Sequence, residues 1–207
     1  MAKPLPVLNG FSLPGQLDSL RQQVAKFITP GVTPNDGRTV DDFKPYLLAL
    51  NLTKRCNLKC DHCYLDATTK AGGGSDELST EECVRLIDQI AEVNKGCLLV
   101  ITGGEPLTRP DILDIARHAV QQGFMVVFGT NGMLIDDAMA KRLVEIGVVG
   151  VGISIDSLDD CTNRQIGRAA SGVQVSASEY LDRIQTAQRL GICVKLNTVV
   201  KIGRAHV

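Results

Sequence analysis

From Tyr46 onward, short apolar runs recur between longer segments of mixed polarity. Tyr46–Leu52, Cys97–Thr102, Phe124–Gly129, Val148–Ile155 and Ile192–Val200 are apolar runs of strand length. Such runs are expected of parallel strands covered on both faces. Between them the apolar positions fall at helical spacing. Val84, Ile87, Ile90 and Ala91 form the stripe of a helix that the capping box Ser79-Thr80-Glu81-Glu82 opens and that runs to about Val93. Pro110 stands near the start of a second helix, and Gly123 follows its end. Asp136–Ile146 predicts a third, stopped by Gly147. Ser176-Ala177-Ser178-Glu179 opens a fourth, which ends at Gly191. Strand, loop and helix in repetition predict a parallel α/β sheet with right-handed crossovers. Five strands fall short of the roughly eight of a closed barrel. The expected fold class is therefore α/β: a partial (β/α) barrel of parallel strands, truncated at its C-terminus, with an open sheet as the alternative.

The flanks differ from this core. Residues 1–44 carry Pro4, Pro6, Pro14, Pro30 and Pro34, and only Gln16–Ile28 has a helical apolar side, made of Leu17, Leu20, Val24 and Phe27. They read as an N-terminal extension packed on the main domain, or as a partly disordered leader. The core is expected over residues 45–201. Ile202-Gly203-Arg204-Ala205-His206-Val207 has no apolar period and matches the translation of a common sequencing adapter. Residues 202–207 are expected to be a non-native tail, a short polar terminus being the alternative.

Composition narrows the function. With 44% hydrophobic and 22% charged residues, the chain of 207 is globular in character. Its 22 Lys+Arg stand against 23 Asp+Glu, a net charge of −1, so nothing points to nucleic acid or an anionic membrane. No apolar run reaches the roughly 18–20 residues of a membrane span, and Trp is absent, against base-stacking platforms. Seven Cys, an odd number, with no export signal favour a reducing cytoplasm over a disulfide framework.

Three of those Cys carry the main chemical signal. Cys56, Cys60 and Cys63 stand at C-x3-C-x2-C in the loop after the first strand. Three closely spaced thiolates suit an iron–sulfur cluster that leaves one iron open. Lys54 and Arg55 precede them and are expected to favour the thiolate forms. A zinc site with His62 as a ligand, and a Cys60–Cys63 redox pair, are the alternatives. Gly103-Gly104-Glu105-Pro106 follows the second strand. Its glycines permit close backbone approach. Its carboxylate and free carbonyls suit an ammonium group. Cys83, Cys97 and Cys193 read as buried small hydrophobes, and Cys161 as a loop residue. His118 and His206 do not read as ligands. Ala71-Gly72-Gly73-Gly74 lacks the Lys-Ser/Thr of a phosphate loop and reads as a flexible loop.

The Cys triplet with Gly-Gly-Glu-Pro resembles the radical S-adenosylmethionine (SAM) superfamily over about residues 46–200. The resemblance implies a 4Fe-4S cluster on Cys56, Cys60 and Cys63, with SAM chelating the open iron through its amino and carboxylate groups. It implies one-electron cleavage of SAM and hydrogen abstraction from a substrate by the 5′-deoxyadenosyl radical. It places Tyr64 beside the adenine and Gly103, Gly104 and Glu105 at the methionyl amino group. At later strand ends, after Thr130-Asn131-Gly132, it offers Ser154, then Asp156, then Asn197 as SAM contacts. It singles out no catalytic residue toward the substrate. An electron donor such as flavodoxin or ferredoxin is implied as a partner.

Two branches of the family compete along the chain. Residues 46–156, with Asn51-Leu52-Thr53-Lys54-Arg55-Cys56 and Cys63-Tyr64, resemble haem d1 and haem b pathway enzymes and peptide maturases. Residues 154–200, from Asp156-Ser157-Leu158 through Asn163-Arg164-Gln165-Ile166-Gly167-Arg168 to Lys195-Leu196-Asn197-Thr198, resemble viperin-like nucleotide dehydratases. The expected substrate is thus a tetrapyrrole or a peptide, with a nucleotide as the alternative. A join of two genes near Ser157, a zinc-stabilised module without activity, and an inactive fragment stay open.

Overall fold

A computed structural model describes residues 44–67, 77–166, 168–169 and 176–199. The expected N-terminal extension (apart from Lys44), the glycine run 71–74 and the tail 202–207 lie outside these residues. Five parallel strands form the main sheet: β1 (Leu47–Asn51), β3 (Leu98–Thr102), β4 (Met125–Thr130), β5 (Gly150–Ser154) and β7 (Cys193–Asn197). They lie side by side in that order, each paired parallel to the next. The crossovers are α1 (Thr80–Asn94), α2 (Ile112–Gln121), α3 (Asp137–Ile146) and α5 (Ala177–Arg189). Both predicted capping boxes are present: the Ser79 and Ser176 hydroxyls accept from the backbone N–H groups of Glu82 and Glu179, and each Glu side chain reaches back to its cap. Gly147 ends α3 in the left-handed conformation.

The register divides the sheet into two unequal faces. Leu99, Ile101, Val126, Phe128, Val151 and Ile153 point to one side and are almost wholly buried. They share a single core with the helical stripes, including Ile87, Ile115, Ala119, Leu143 and Tyr180. The other side carries Ala49, Val100, Val127, Gly129, Gly150 and Gly152, small or slender residues, and it is only partly covered along β3 and β4. Strands buried on both faces were the expectation. Instead β3 and β4 alternate, and β1 and β7 are edges, with Leu47 and Leu196 half exposed. The cause is that, among the described residues, the helices cover one face of the partial barrel and leave the other partly open. At the C-terminal end of that inner face the register aligns Asn51, Thr102, Ser154 and Asn197, all polar.

Several short elements escaped the sequence reading. A short helix, α4 (Asp160–Ile166), follows β5, so Cys161 is an exposed helical residue and not a loop residue. A two-residue strand β2 (Lys59–Cys60), inside the Cys loop, pairs antiparallel with β6 (Arg168–Ala169). Two-residue strands carry no period, so alternation cannot reveal them.

Candidate functional site

The Cys loop leaves the C-terminal end of β1 and is fixed at once by the backbone of the next strand end. Leu52 N–H donates to the Thr102 carbonyl at 2.9 Å, Gly104 N–H to Thr53 at 2.7 Å and Glu105 N–H to Arg55 at 2.8 Å. Gly103 has φ +144°, and a Cβ there would stand 2.4 Å from the Thr53 carbonyl oxygen. A Cβ on Gly104 would stand 2.4 Å from that of Arg55. The glycine pair is therefore required for the turn to dock on the Cys loop, since no side chain fits between the two backbones. Among the described residues no backbone N–H donates to the Gly103 or Gly104 carbonyl.

Cys56 is buried, Cys60 and Cys63 are half-buried, and all three are free thiols. Each lies in the field of the others. Burial raises the Cys56 thiol above its ordinary value, against a hydrogen bond from Leu58 N–H at 3.3 Å. Burial pushes Cys60 up to about 11, and the cation that opposes this is Arg168. The expectation that Lys54 and Arg55 favour the thiolates is thus corrected: Cys56 and Cys60 are raised, because burial outweighs charge, and the cation facing Cys60 comes from β6 through the β2–β6 pairing. Among the described residues no three His, Cys, Asp or Glu side chains converge as the ligands of a single metal ion would. His62, the fourth ligand of the zinc alternative, sits instead 3.6 Å from Asp156 and 3.3 Å from the Arg168 guanidinium.

Behind the loop lies a second layer. The Glu105 side chain is fully buried and turned inward. Its Oε1 accepts from Leu107 N–H at 3.1 Å, its Oε2 from Asn131 N–H at 2.8 Å, and the Thr130 hydroxyl lies 2.9 Å from both oxygens. Burial pushes this carboxyl up to about 7, against the pull of those donors. Asn131 continues the chain of contacts to the loop. Its Nδ2 stands 2.7 Å from Asn57 Oδ1 and 3.8 Å from Cys56 Sγ.

The later strand ends supply the opposite flank. Asp156 is buried and accepts from Arg168 Nε at 2.5 Å and from Val199 N–H at 3.0 Å. Burial alone would raise its carboxyl, but those two donors hold it below its ordinary value. Ser154 and Asn197 are register partners on the inner face, and Asn197 Nδ2 lies against Gly152. Tyr64 is 78% exposed and donates through its hydroxyl to Asn51 Oδ1 at 3.2 Å.

The structure therefore places Cys56, Cys60, Cys63, Gly103, Gly104, Tyr64, Ser154, Asp156 and Asn197 at or just past the C-terminal ends of the strands or in the loops leaving them. The Glu105 carboxylate lies beneath that surface. Arg168 and the contact of Asn131 with Cys56 were not read from the sequence. Arg168 follows a short helix with no pattern of its own, and Asn131 stood out only as part of a strand-end tripeptide.

Comparison with known proteins gives the family and the fold. The family described as the Radical SAM superfamily matches residues 50–204. The Fe-coproporphyrin III synthase of Methanosarcina barkeri is 38% identical over 159 residues, covering 77% of this chain and 38% of that protein. The PqqA peptide cyclase of Granulibacter bethesdensis is 31% identical over 157 residues, covering 75% of this chain and 40% of that protein. The chain thus spans about two fifths of the curated relatives it matches. Among solved structures, Streptococcus suis SuiB bound to S-adenosylmethionine superposes with a TM-score of 0.63 at 20% identity, over 94% of this chain and 41% of that one. At that identity the likeness is one of fold.

Proposed function

The chain belongs to the radical SAM superfamily, and on that premise we propose that its strand-end face is the SAM- and cluster-binding part of a radical SAM enzyme. The observation that carries the reading is the gathering of three free thiols in one another's field, on a loop docked by backbone bonds to a glycine turn. The donor set fits a 4Fe-4S cluster held by Cys56, Cys60 and Cys63. Three Cys side chains would supply three of its irons with thiolates and leave one iron open, and the Leu58 N–H and Asn131 amide face Cys56. When bound, the cluster supplies the electron for reductive cleavage of SAM, which starts hydrogen abstraction from the substrate.

The chain's own residues bind and orient. The carbonyls of Gly103 and Gly104, to which no described backbone N–H donates, accept the methionyl ammonium, and the buried Glu105 holds that turn in place from behind. Ser154 and Asn197, adjacent on the inner face, offer a hydroxyl and an amide to the ribose or carboxylate of SAM. Asp156 acts through Arg168, fixing the guanidinium beside Cys60. The exposed ring of Tyr64 covers the adenine. A half-open inner face lined by small residues leaves room for the nucleotide and part of a substrate.

The substrate class supported best is a tetrapyrrole of the haem pathway. The Fe-coproporphyrin III synthase and a heme synthase of the same organism reach 38% and 35% identity over 159 and 156 residues, against 36% over 138 residues for a mycofactocin maturase and 31% over 157 residues for the peptide cyclase. A flavodoxin or ferredoxin serves as electron donor. Anaerobic reconstitution tests the reading. About four irons per chain, a visible cluster absorption band, and 5′-deoxyadenosine release with dithionite and SAM are expected. Replacing Cys56, Cys60 and Cys63 by Ala should abolish all three in a folded protein; retention of iron in that variant sinks the proposal.

A further inference from the structure

Asn131 is the one side chain from outside the Cys loop that reaches the sulfur of Cys56 among the described residues. Its orientation is fixed on three sides. Its backbone N–H donates to Glu105 Oε2 at 2.8 Å, and its Oδ1 accepts from Met133 N–H at 3.0 Å. The bond to Met133 settles which end of the amide is oxygen, so Nδ2 faces the loop. Nδ2 carries two hydrogens. One meets Asn57 Oδ1 at 2.7 Å, and Cys56 Sγ lies 3.8 Å away for the other. Asn131 is 6% exposed, so its donors have no ready alternative in water.

We propose that Asn131 is a positioning residue that holds the Cys56 thiolate for the cluster and, by donating to that sulfur, raises the cluster's reduction potential. This rests on the cluster assignment given under the proposed function. Reduction adds negative charge to the sulfurs, and a hydrogen bond to a sulfur strengthens as that charge grows. The donor therefore stabilises the reduced state more than the oxidised one. Glu105 gives the device its rigidity: it is buried, and it ties Asn131 N–H to the Thr130 hydroxyl and the turn at Leu107.

The test is a potentiometric titration of the reconstituted protein, read by EPR of the reduced cluster. At the potential where the wild type is half reduced, Asn131→Ala is expected to show a reduced-to-oxidised ratio about tenfold lower, a downward shift of about 59 mV for one electron. Asn131→Asp, which replaces the donor by a carboxylate, should shift further in the same direction. Midpoints equal to that of the wild type in both variants overturn the inference. Failure of the wild type to take up iron overturns the cluster assignment instead. If neither variant holds iron, Asn57→Asp decides, because it keeps the acceptor at residue 57 while removing its amide nitrogen. In that protein, labelled with 15N on asparagine side chains, a 15N coupling to the reduced cluster supports the bond, and its absence refutes it.

Discussion

The two flanks of the Cys loop are held by different physics. On the β3–β4 side, Cys56 is met by neutral donors, Leu58 N–H and the Asn131 amide, and the loop is docked by backbone hydrogen bonds to a glycine turn. On the β5–β7 side, Cys60 is met by Arg168, whose charge is balanced by the buried Asp156. The first flank has a carboxyl with no cation on it, and the second has an ion pair. Neutral donors fix geometry without long-range charge. A buried pair fixes geometry and also sets the local field, but it fails badly when one member is lost.

The largest effect should come from breaking that pair. In the metal-free protein, Asp156→Asn leaves the Arg168 guanidinium in place with little exposure and no counter-charge. A loss of about 3–5 kcal/mol in urea unfolding is expected. Removing both charges with Asp156→Leu and Arg168→Met together should cost less than either single change. A loss under about 1 kcal/mol in Asp156→Asn would mean that water reaches the pair, and the contrast between the flanks would disappear.

Next in size is a pH effect of opposite sign on the two sides. Glu105 has its folded value raised from 4.5 to about 7, so the folded protein holds this proton longer than the unfolded chain. Stability from this group is full below 4.5 and falls as pH rises toward 7, by up to about 3 kcal/mol. Asp156 is lowered, so its contribution is present above its ordinary 3.8 and is lost as pH falls below it. Glu105→Gln should remove the loss between pH 4.5 and 7, at the expense of one backbone donor facing an amide. A variant that keeps the same slope would place the titration elsewhere.

Smaller still is the docking of the turn. Gly104→Ala puts a methyl 2.4 Å from the Arg55 carbonyl oxygen, so one backbone must yield. A cost of about 1–3 kcal/mol is expected in the same unfolding assay. An unchanged midpoint would show that the loop and turn separate easily, and the neutral flank would lose its claim to rigidity.

Much of this architecture was legible in the chain, for identifiable reasons. Strands β3, β4 and β5 and helices α1, α3 and α5 announce themselves through apolar runs, two capping boxes and the glycine after Ile146. Those signals are local, and the structure keeps them. The Cys triplet and Gly-Gly-Glu-Pro were legible because the spacing itself is the signal. The fastening between them was not. Glu105 reads as a carboxylate offered at the surface, yet it is buried, because Thr130, Asn131 and Leu107 supply donors from separate elements. Arg168 pairs with Cys60 across more than a hundred residues, and only the two-residue β2–β6 ladder brings them together. The stretches on either side of Ser157 meet here as well. Asp156, Arg168 and His62 come from both sides of Ser157 and form one cluster. Long-range polar contacts leave no period in the sequence, so chemistry at this site had to be seen in three dimensions.

The smallest expected effect concerns Tyr64, and it separates holding the loop from holding the ligand. Its ring is 78% exposed and its one described bond, to Asn51, faces solvent. Tyr64→Phe and Tyr64→Ala should each leave the unfolding midpoint nearly unmoved, within about 0.5 kcal/mol, as other exposed substitutions do. If the ring covers the adenine, the two variants must part company on binding. Phe keeps the aromatic face and should bind SAM as the wild type does, while Ala should weaken binding about 2- to 10-fold, the usual worth of one stacked ring. Equilibrium binding of SAM to the reconstituted protein measures this directly. Equal affinities in all three proteins would move the adenine off Tyr64. Loss of affinity in Phe as well as Ala would point to the hydroxyl and its bond to Asn51, making the inner face at β1 the part of the site that matters.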